Sequence, residues 1–382
     1  MPDTQIPILS DIVRTPSARE AALRKSKKWW FMVCVNIIFL LAGQTAAMLL
    51  GRFYFDKGGQ SMWISTFVQT AAFPVLLLAF IAIPSSTTTS STDVVPHASI
   101  ASLAFVYISI GLIIVADNLM YSYGLLYLPI STYSLVCATQ LAFNSIFSYF
   151  INKQKFTILI FNSVVVLTFS AALLGVDPDS NTSSVIPSGK RPLGFILTIG
   201  ASAVYSLILS LIQLSFEKVI MKIEYSAVIE MQFYTSAIAT IASVIGLFGS
   251  GEWKSLPGEM RGFESGKFSY VMTLVGTAVS WQVASVGVIG LIFEVSSLFS
   301  NVISTLALPI VPVFAVIFFH DGFNGIKVIA LLLAVWGFVS YIYQNHLDVK
   351  KLKKASASAR DENGVEVLTE MGGNSGGDHM IK

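Results

Sequence analysis

The chain has 382 residues, of which 54% are hydrophobic and only 12% charged, and its formal net charge is +2. Soluble domains carry roughly 25% charged residues, so this composition, with a mean hydropathy of +0.71, excludes a water-soluble globular protein and describes a polytopic membrane protein. So small a net charge gives no reason to expect nucleic-acid binding, and the chain has no G-x-x-x-x-G-K-[ST] loop with which to hydrolyse ATP.

A hydrocarbon core of about 30 Å takes roughly 20 apolar residues as a helix. Ten segments meet that demand: 29–51, 62–83, 99–122, 130–151, 156–176, 192–215, 227–249, 269–290, 295–319 and 326–345. All are expected to be helices, because lipid offers no partner to an open strand edge. Residues 1–28 read as a polar, disordered cytoplasmic tail with no cleavable signal peptide. Trp29 and Trp30 beside Lys27 and Lys28 look like an interfacial anchor. The Ser/Thr run from Ser85 to Thr92 reads as a solvated cytoplasmic linker. Residues 177–191 form a polar connecting loop with a sequon at Asn181, close to a helix end, and 348–382 form a second disordered tail. With the N-terminus inside, two-thirds of the 24 Lys and Arg fall on the cytoplasmic side, so both termini are expected there and the plasma membrane is the expected host.

Five spans lie in 29–176 and five in 192–347, so the second set enters the membrane from the opposite face. That is the arithmetic of an inverted repeat, a common transporter plan. Leu128-Pro129-Ile130-Ser131-Thr132 opens the fourth span, and Phe293-Glu294-Val295-Ser296-Ser297 opens the ninth; polar corners at Asn152-Lys153 and His320-Asp321 follow them. The fold class expected is therefore an all-α integral membrane protein, with ten transmembrane helices as two inverted five-helix repeats.

Polar residues inside the spans are the candidates for function. Gln44 and Gln69 are single mid-span amides, each either a site group or interhelical glue worth about 0.6–2 kcal/mol. Pro74 close to Gln69 suggests a local kink. Asp117 is the only Asp, Glu, Lys or Arg between Val94 and Asn152. It is expected about four residues from the outer end of its helix, either as a proton carrier or hydrogen-bonded to neighbouring Ser, Tyr or amide groups. Tyr133, Gln140 and Asn144 share one helical face. Glu230 lies one turn inside its span near the cytoplasm, where an interfacial cap competes with a site. Ser280-Trp281-Gln282 places an aromatic plane beside an amide in mid-span, and such a pair suits a planar heterocycle: an amide pairs bidentately with adenine N6 and N7. Glu294 is expected at a helix start, where a negative charge suits the dipole. Ser297, Asn301 and Ser304 share a face of the ninth span, which Pro309 and Pro312 are expected to kink. Cys34 and Cys137 read as small core residues, and His97, His320, His346 and His379 have no metal-ligand spacing, so no metal and no cofactor is expected.

The chain resembles the plant purine permease family of the drug/metabolite transporter superfamily from about Trp30 to Tyr343. The likeness rests on Leu50–Gly59, Gln69–Pro74, Ala116–Leu135, Gln140–Phe150, Trp281-Gln282 and Gly290–Asn301. It implies ten helices in inverted repeats and proton-coupled uptake of adenine-like compounds, with cytokinins, B6-type pyridines and alkaloids as related substrates. The chain is thus expected to be no enzyme. Its partners are expected to be a small purine-like substrate, protons and the lipid bilayer, with Gln44, Gln69, Tyr133, Gln140, Asn144, Trp281, Gln282 and Asn301 lining the site. Asp117 leads for proton coupling, followed by Glu230 and Glu294. Two rivals remain. One is a membrane receptor or scaffold that binds a heterocycle without moving it. The other is an exporter of another metabolite of the superfamily, although nucleotide-sugar phosphates would call for mid-span Lys or Arg, which are absent.

Overall fold

The computed structural model describes residues 16–77, 99–128, 130–153, 157–175, 190–221, 225–319, and 325–347 except 327, 334, 342, 345 and 346. The expectations for the Ser85–Thr92 run, the Asn181 sequon, the His320-Asp321 corner, all four histidines and the 348–382 tail lie outside these residues. The described residues contain helices and turns and no strand.

The helices in chain order are α1 (Pro16–Asp56), α2 (Met62–Val68), α3 (Ile100–Tyr127), α4 (Ile130–Phe150), α5 (Ile158–Gly175), α6 (Arg191–Ser215), α7 (Ser226–Ser250), α8 (Leu256–Gly262), α9 (Gly266–Glu294), α10 (Ser297–Phe319) and α11 (Val328–Tyr341). Among the described residues, five stretches are able to cross a membrane by length and composition: Lys27–Asp56, Ile100–Tyr127, Pro192–Ile220, Ser226–Ser250 and Gly266–Glu294. Large apolar side chains such as Phe31, Phe105, Phe161, Ile196, Ile241 and Phe268 are exposed on the helices' outer faces, as lipid-facing groups are.

Several boundaries differ from the sequence expectation for identifiable reasons. The helix of α1 starts at Pro16 rather than Trp29, because Ser-Ala-Arg-Glu-Ala-Ala-Leu-Arg-Lys is rich in helix formers and Pro suits a first helical turn. The expected second span is broken. Ser61 caps α2 by accepting from the Ile64 N–H, the helix stops at Val68, and a turn leads into a 3₁₀ segment, Phe73–Val75. Pro74 lacks an N–H and disfavours helical backbone before it. Three-residue bonds take over, from Thr70 to the Phe67 carbonyl (3.1 Å), from Phe73 to that of Thr70 (3.3 Å) and from Val75 to that of Ala72 (3.0 Å).

Helix α3 runs on to Tyr127, five residues past the expected end at 122, so Asp117 lies ten residues from its end rather than about four. It ends at Leu128, which is extended (φ −115°, ψ 144°) ahead of Pro129. A π-helical turn, Phe216–Ile220, closes α6, and Met221 follows in the left-handed region (φ 46°). Helix α9 continues through Glu294, and only Val295 and Ser296 separate it from α10. Glu294 therefore sits at a helix C-terminus, not at the helix start expected for it, and the dipole there disfavours its charge. Lys28 is its electrostatic partner, and its carbonyl accepts from Trp29 Nε1 at 3.3 Å.

The most extensive helix pairs are α1 with α9 and α3 with α6. Small residues make the first pair close. A Cβ on Gly43 would stand 2.6 Å from the Ala284 nitrogen and 2.7 Å from the Ser280 oxygen, and one on Gly287 would stand 2.6 Å from both the Asn36 oxygen and the Leu40 nitrogen. Backbone-to-backbone packing of this kind is how helices gain dispersion energy where lipid removes the hydrophobic drive.

Helices α4 and α6 are joined differently, by a ladder of fully buried serines. Ser202 Oγ donates to the Val136 carbonyl (3.2 Å), Ser206 Oγ to the Gln140 carbonyl (2.6 Å) and Ser210 Oγ to Asn144 Oδ1 (3.3 Å). Donors and acceptors both recur every four residues, so each rung sits on one face of its helix.

Candidate functional site

A polar layer crosses the middle of the bundle, assembled from α1, α3, α4, α6 and α10. Asp117 on α3 is 3% exposed, and its Oδ1 has no hydrogen-bond partner among the described residues. It interacts electrostatically with Tyr121, Tyr133, Cys137 and Tyr205. Tyr121, one turn further along α3, donates to Gln140 Oε1 and to Ser202 Oγ at 3.5 and 3.4 Å. Its ring meets Tyr133 edge-on at 6.1 Å. Asn301 on α10 reaches the same layer, with Nδ2 donating to the Gln140 carbonyl at 3.1 Å. Tyr205 sits against Ser304 on α10, and Ser304 bonds Gln44 on α1. Gly43, next to Gln44, packs on the backbone of Ser280 and Ala284, the residues that flank Trp281 and Gln282 on α9.

These contacts separate the sequence candidates into two groups. Gln44 is paired at both ends: Nε2 donates to the Ser304 carbonyl (3.2 Å) and Oε1 accepts from Ser304 Oγ (2.9 Å). Asn144 is likewise committed. Its Nδ2 donates to the Ser297 carbonyl (3.1 Å), and its Oδ1 accepts from Ser210 and Ser148. Both act as ties between helices. Gln69 follows α2, with Nε2 donating to the Ser65 carbonyl and to Ser122 Oγ of α3, at 3.2 and 3.3 Å.

Gln282 is the opposite case. It is 3% exposed, and neither Nε2 nor Oε1 has a partner among the described residues. Asn301 is fully buried with Oδ1 unpartnered, and the hydroxyls of Thr45 and Thr305 are also unmatched. A buried polar group left unpaired costs about 1–3 kcal/mol, so each of these atoms calls for a structural or functional explanation. Trp281 is half-buried and takes part in none of the aromatic pairs among the described residues. Glu230 is half-buried near the start of α7, close to Tyr107, which stacks on Tyr234 at 5.1 Å. Glu294 lies apart, at the C-terminal end of α9 beside Lys28 and Trp29.

Sequence reasoning missed several participants. The Asp117–Tyr121 pair and the Ser202–Ser206–Ser210 ladder both have fourfold spacing that was there to be seen. A second polar centre was missed altogether. Glu259 Oε1 accepts from Tyr54 (2.5 Å) and Tyr270 (3.0 Å), and its Oε2 accepts from the Ser61 N–H (3.1 Å). Glu252 Oε2 accepts from Ser61 Oγ (2.6 Å) and the Trp63 N–H (3.1 Å). Two carboxylates from the α7–α9 connection thus cap α2 at its positive end. Lys57 adds an ion pair to Glu264 at 3.0 Å. No group of three or more His, Cys, Asp or Glu able to hold a metal ion occurs among the described residues.

Residues 31–351 match a family model described as purine nucleobase transmembrane transport. The chain is 56% identical to "Probable purine permease 11" of Arabidopsis thaliana, over 88% of each chain. It is 49% identical to "Probable purine permease 10", over 91% of this chain and 90% of that one, and 50% identical to "Purine permease 21", over 86% and 84%, both from the same plant. One solved crystal structure superposes with a TM-score of 0.51 over 81% of this chain and 97% of its own, at 13% identity, a likeness of fold alone.

Proposed function

The chain belongs to the purine nucleobase transmembrane transport family, and on that footing we propose that it is a proton-coupled importer of adenine and related planar nitrogen heterocycles, cytokinins among them. The observation that carries this reading is Gln282, a buried amide with both polar atoms unpartnered among the described residues and next in sequence to the half-buried Trp281. An aromatic face and a free donor–acceptor edge are what a flat heterocycle needs: stacking on one side and paired hydrogen bonds at the rim. Tyr133, Gln140 and Asn301 complete the layer, while Gln44 and Asn144 hold its helices in place.

Alternating access is the mechanism we infer, with ten spans as two inverted repeats. The helix pairing supports it. The first helix of the first half, α1, lies along α9, the third span of the second half. The first helix of the second half, α6, lies along α3, the third span of the first. Asp117 is the proton carrier in this scheme. As a carboxylic acid it is neutral and compatible with a closed, water-free layer. As a carboxylate it needs water, so loading and release are tied to which side is open. One proton moving down 100 mV supplies about 2.3 kcal/mol, and each pH unit adds about 1.4 kcal/mol, sufficient for roughly four hundredfold accumulation when 100 mV and one pH unit act together. Both termini face the cytoplasm in this arrangement, and the plasma membrane is the host.

Uptake of radiolabelled adenine into a transport-deficient cell, at external pH 5 and 7 and with a protonophore, tests the reading. Accumulation that rises at pH 5 and collapses with the protonophore is expected. Saturable binding without accumulation would make the chain a receptor, and uptake indifferent to pH and protonophore would remove proton coupling.

A further inference from the structure

We propose that α2 and the 3₁₀ turn after it form a lid over the Gln282 face of α9, and that Glu252 and Glu259 are the latch that holds it shut. This rests on the nucleobase reading above and names how that site is opened. Gln282 lies one helical turn from Ala278 and one from Val286, so the three share a face of α9. The same piece of chain covers both neighbours. Ala278 packs with Val68 and Ala72, and Val286 packs with Leu76 and with Ile229 of α7. The segment from Val68 to Leu76 therefore runs across Gln282. That amide is 3% exposed, with both ends unpartnered among the described residues, so a ligand that pairs with it has to be admitted past one of its walls. Helices α7 and α9 are unbroken, with 25 and 29 residues. The α2 wall is interrupted: a helix of 7 residues, a turn and a 3₁₀ segment.

The lid is fastened unevenly. At its first turn the Ser61 N–H donates to Glu259, and Ser61 Oγ and the Trp63 N–H donate to Glu252. Bonds to a carboxylate are roughly twice as strong as neutral ones. Further along, the bonds are neutral: Ser65 and Gln69 share Ser122 of α3, and Thr70 meets Thr240 of α7 at 3.1 Å. Against α9 the contacts are the small, apolar Val68, Ala72 and Ala278, and Trp63 rests on Gly246 of α7, where no side chain could stand. Such smooth contacts part without unlocking interdigitated side chains. The change from α to 3₁₀ between Val68 and Phe73 supplies the hinge. Glu259 keeps its bonds to Tyr54 of α1 and Tyr270 of α9 when Ser61 leaves, so the latch stays with the frame while the lid moves. Both carboxylates are half-buried and meet water once released, which spares them the cost of a stranded buried charge.

Opening can be read from the rate at which cysteines placed under the lid react with a polar maleimide, in the purified full-length protein. Ala72→Cys lies on the lid and Ala278→Cys on the α9 face it covers; the two alanines are 9% and 8% exposed. Native Cys137, buried in a separate cluster with Tyr133 and Leu308, is the internal control. Each probe is combined with Glu259→Gln, with Glu252→Ala and with both. Labelling at both probes should accelerate about tenfold with one carboxylate replaced and about a hundredfold with both, since each charge-assisted bond is worth on the order of a decade. Cys137 should not change, and saturating adenine should slow the probes again. Unchanged rates at both probes would overturn the inference. So would a Cys137 rate that rises in step with them, because the carboxylates would then support the whole fold rather than one lid. If labelling follows the latch but adenine neither protects the probes nor enters cells, the nucleobase reading fails and the lid stands.

Discussion

Replacing Gly43 by Ala tests whether the α1–α9 seam holds the site together. The added Cβ would lie 2.6 Å from the Ala284 nitrogen, while ordinary contact begins at 3.4 Å, so the two helices must part by about 0.8 Å at that level. Neither clashing atom can rotate away, because Ala284 N and Ser280 O are both backbone. A gap of that size forfeits about a quarter to a half of the dispersion energy of the atoms lining it, and overpacking a close interface costs about 1–3 kcal/mol. Gly51 provides the control on the same helix. Nothing lies within 4 Å of a Cβ built there, and Gly→Ala inside a helix gains about 0.5–1 kcal/mol. The helix gain is common to both variants, so they should differ by the overpacking cost, about 1–3 kcal/mol. Melting of the purified proteins in detergent, followed by intrinsic tryptophan fluorescence, should place Gly43→Ala below the wild type and Gly51→Ala at or above it. Adenine uptake should fall with Gly43→Ala, since Gly43 packs on the residues that flank Gln282. Equal melting of the two variants would refute the close-packed seam.

Asp117→Asn keeps the side chain's shape and removes its titration; labelled adenine should still exchange across the membrane, but a pH difference should no longer drive accumulation. Full pH-driven accumulation in that variant would take the coupling role from Asp117. Gln44→Leu, Ser304→Ala and the double variant form a cycle in which a coupling of about 0.6–1.7 kcal/mol is expected for a buried interhelical bond, read from melting; a coupling near zero would show the pair to be idle. Glu259→Gln leaves one oxygen for three donors, so α2 should loosen, with faster hydrogen exchange at Ser61 to Ile64 and little change in α6. Unchanged exchange there would mean that the carboxylate does not fasten the helix.

Much of this architecture can be read from the chain, because the spans are long and the polar residues within them few. The face shared by Tyr133, Gln140 and Asn144 is a matter of helical arithmetic, and all three are buried on it. What hydropathy cannot resolve is where a helix stops when the connection is as short as Val295–Ser296, which is why Glu294 was expected at the wrong end. Pro74 announced a disturbance, but the complete break after Val68 also depends on Ser61 capping α2 and on Glu252 and Glu259, some 190 residues away, holding it. Gln44 and Gln282 are both mid-span amides, and only Gln282 has an aromatic neighbour in sequence, Trp281. Their tertiary surroundings separate them: Gln44 pairs with Ser304, whereas Gln282 has no partner among the described residues.

The first helix has a consequence for how the protein is made. Asn36 accepts from Tyr225, 189 positions later, and Gln44 pairs with Ser304, 260 positions later. A helix that leaves the ribosome first must therefore wait in the membrane with buried amides unmatched until most of the chain has been synthesised. Contacts this distant in sequence form slowly, and exposed polar surface invites wrong partners while it lasts. Truncations in the second half would then strand α1 rather than spare it, and biogenesis would fail before transport could be measured.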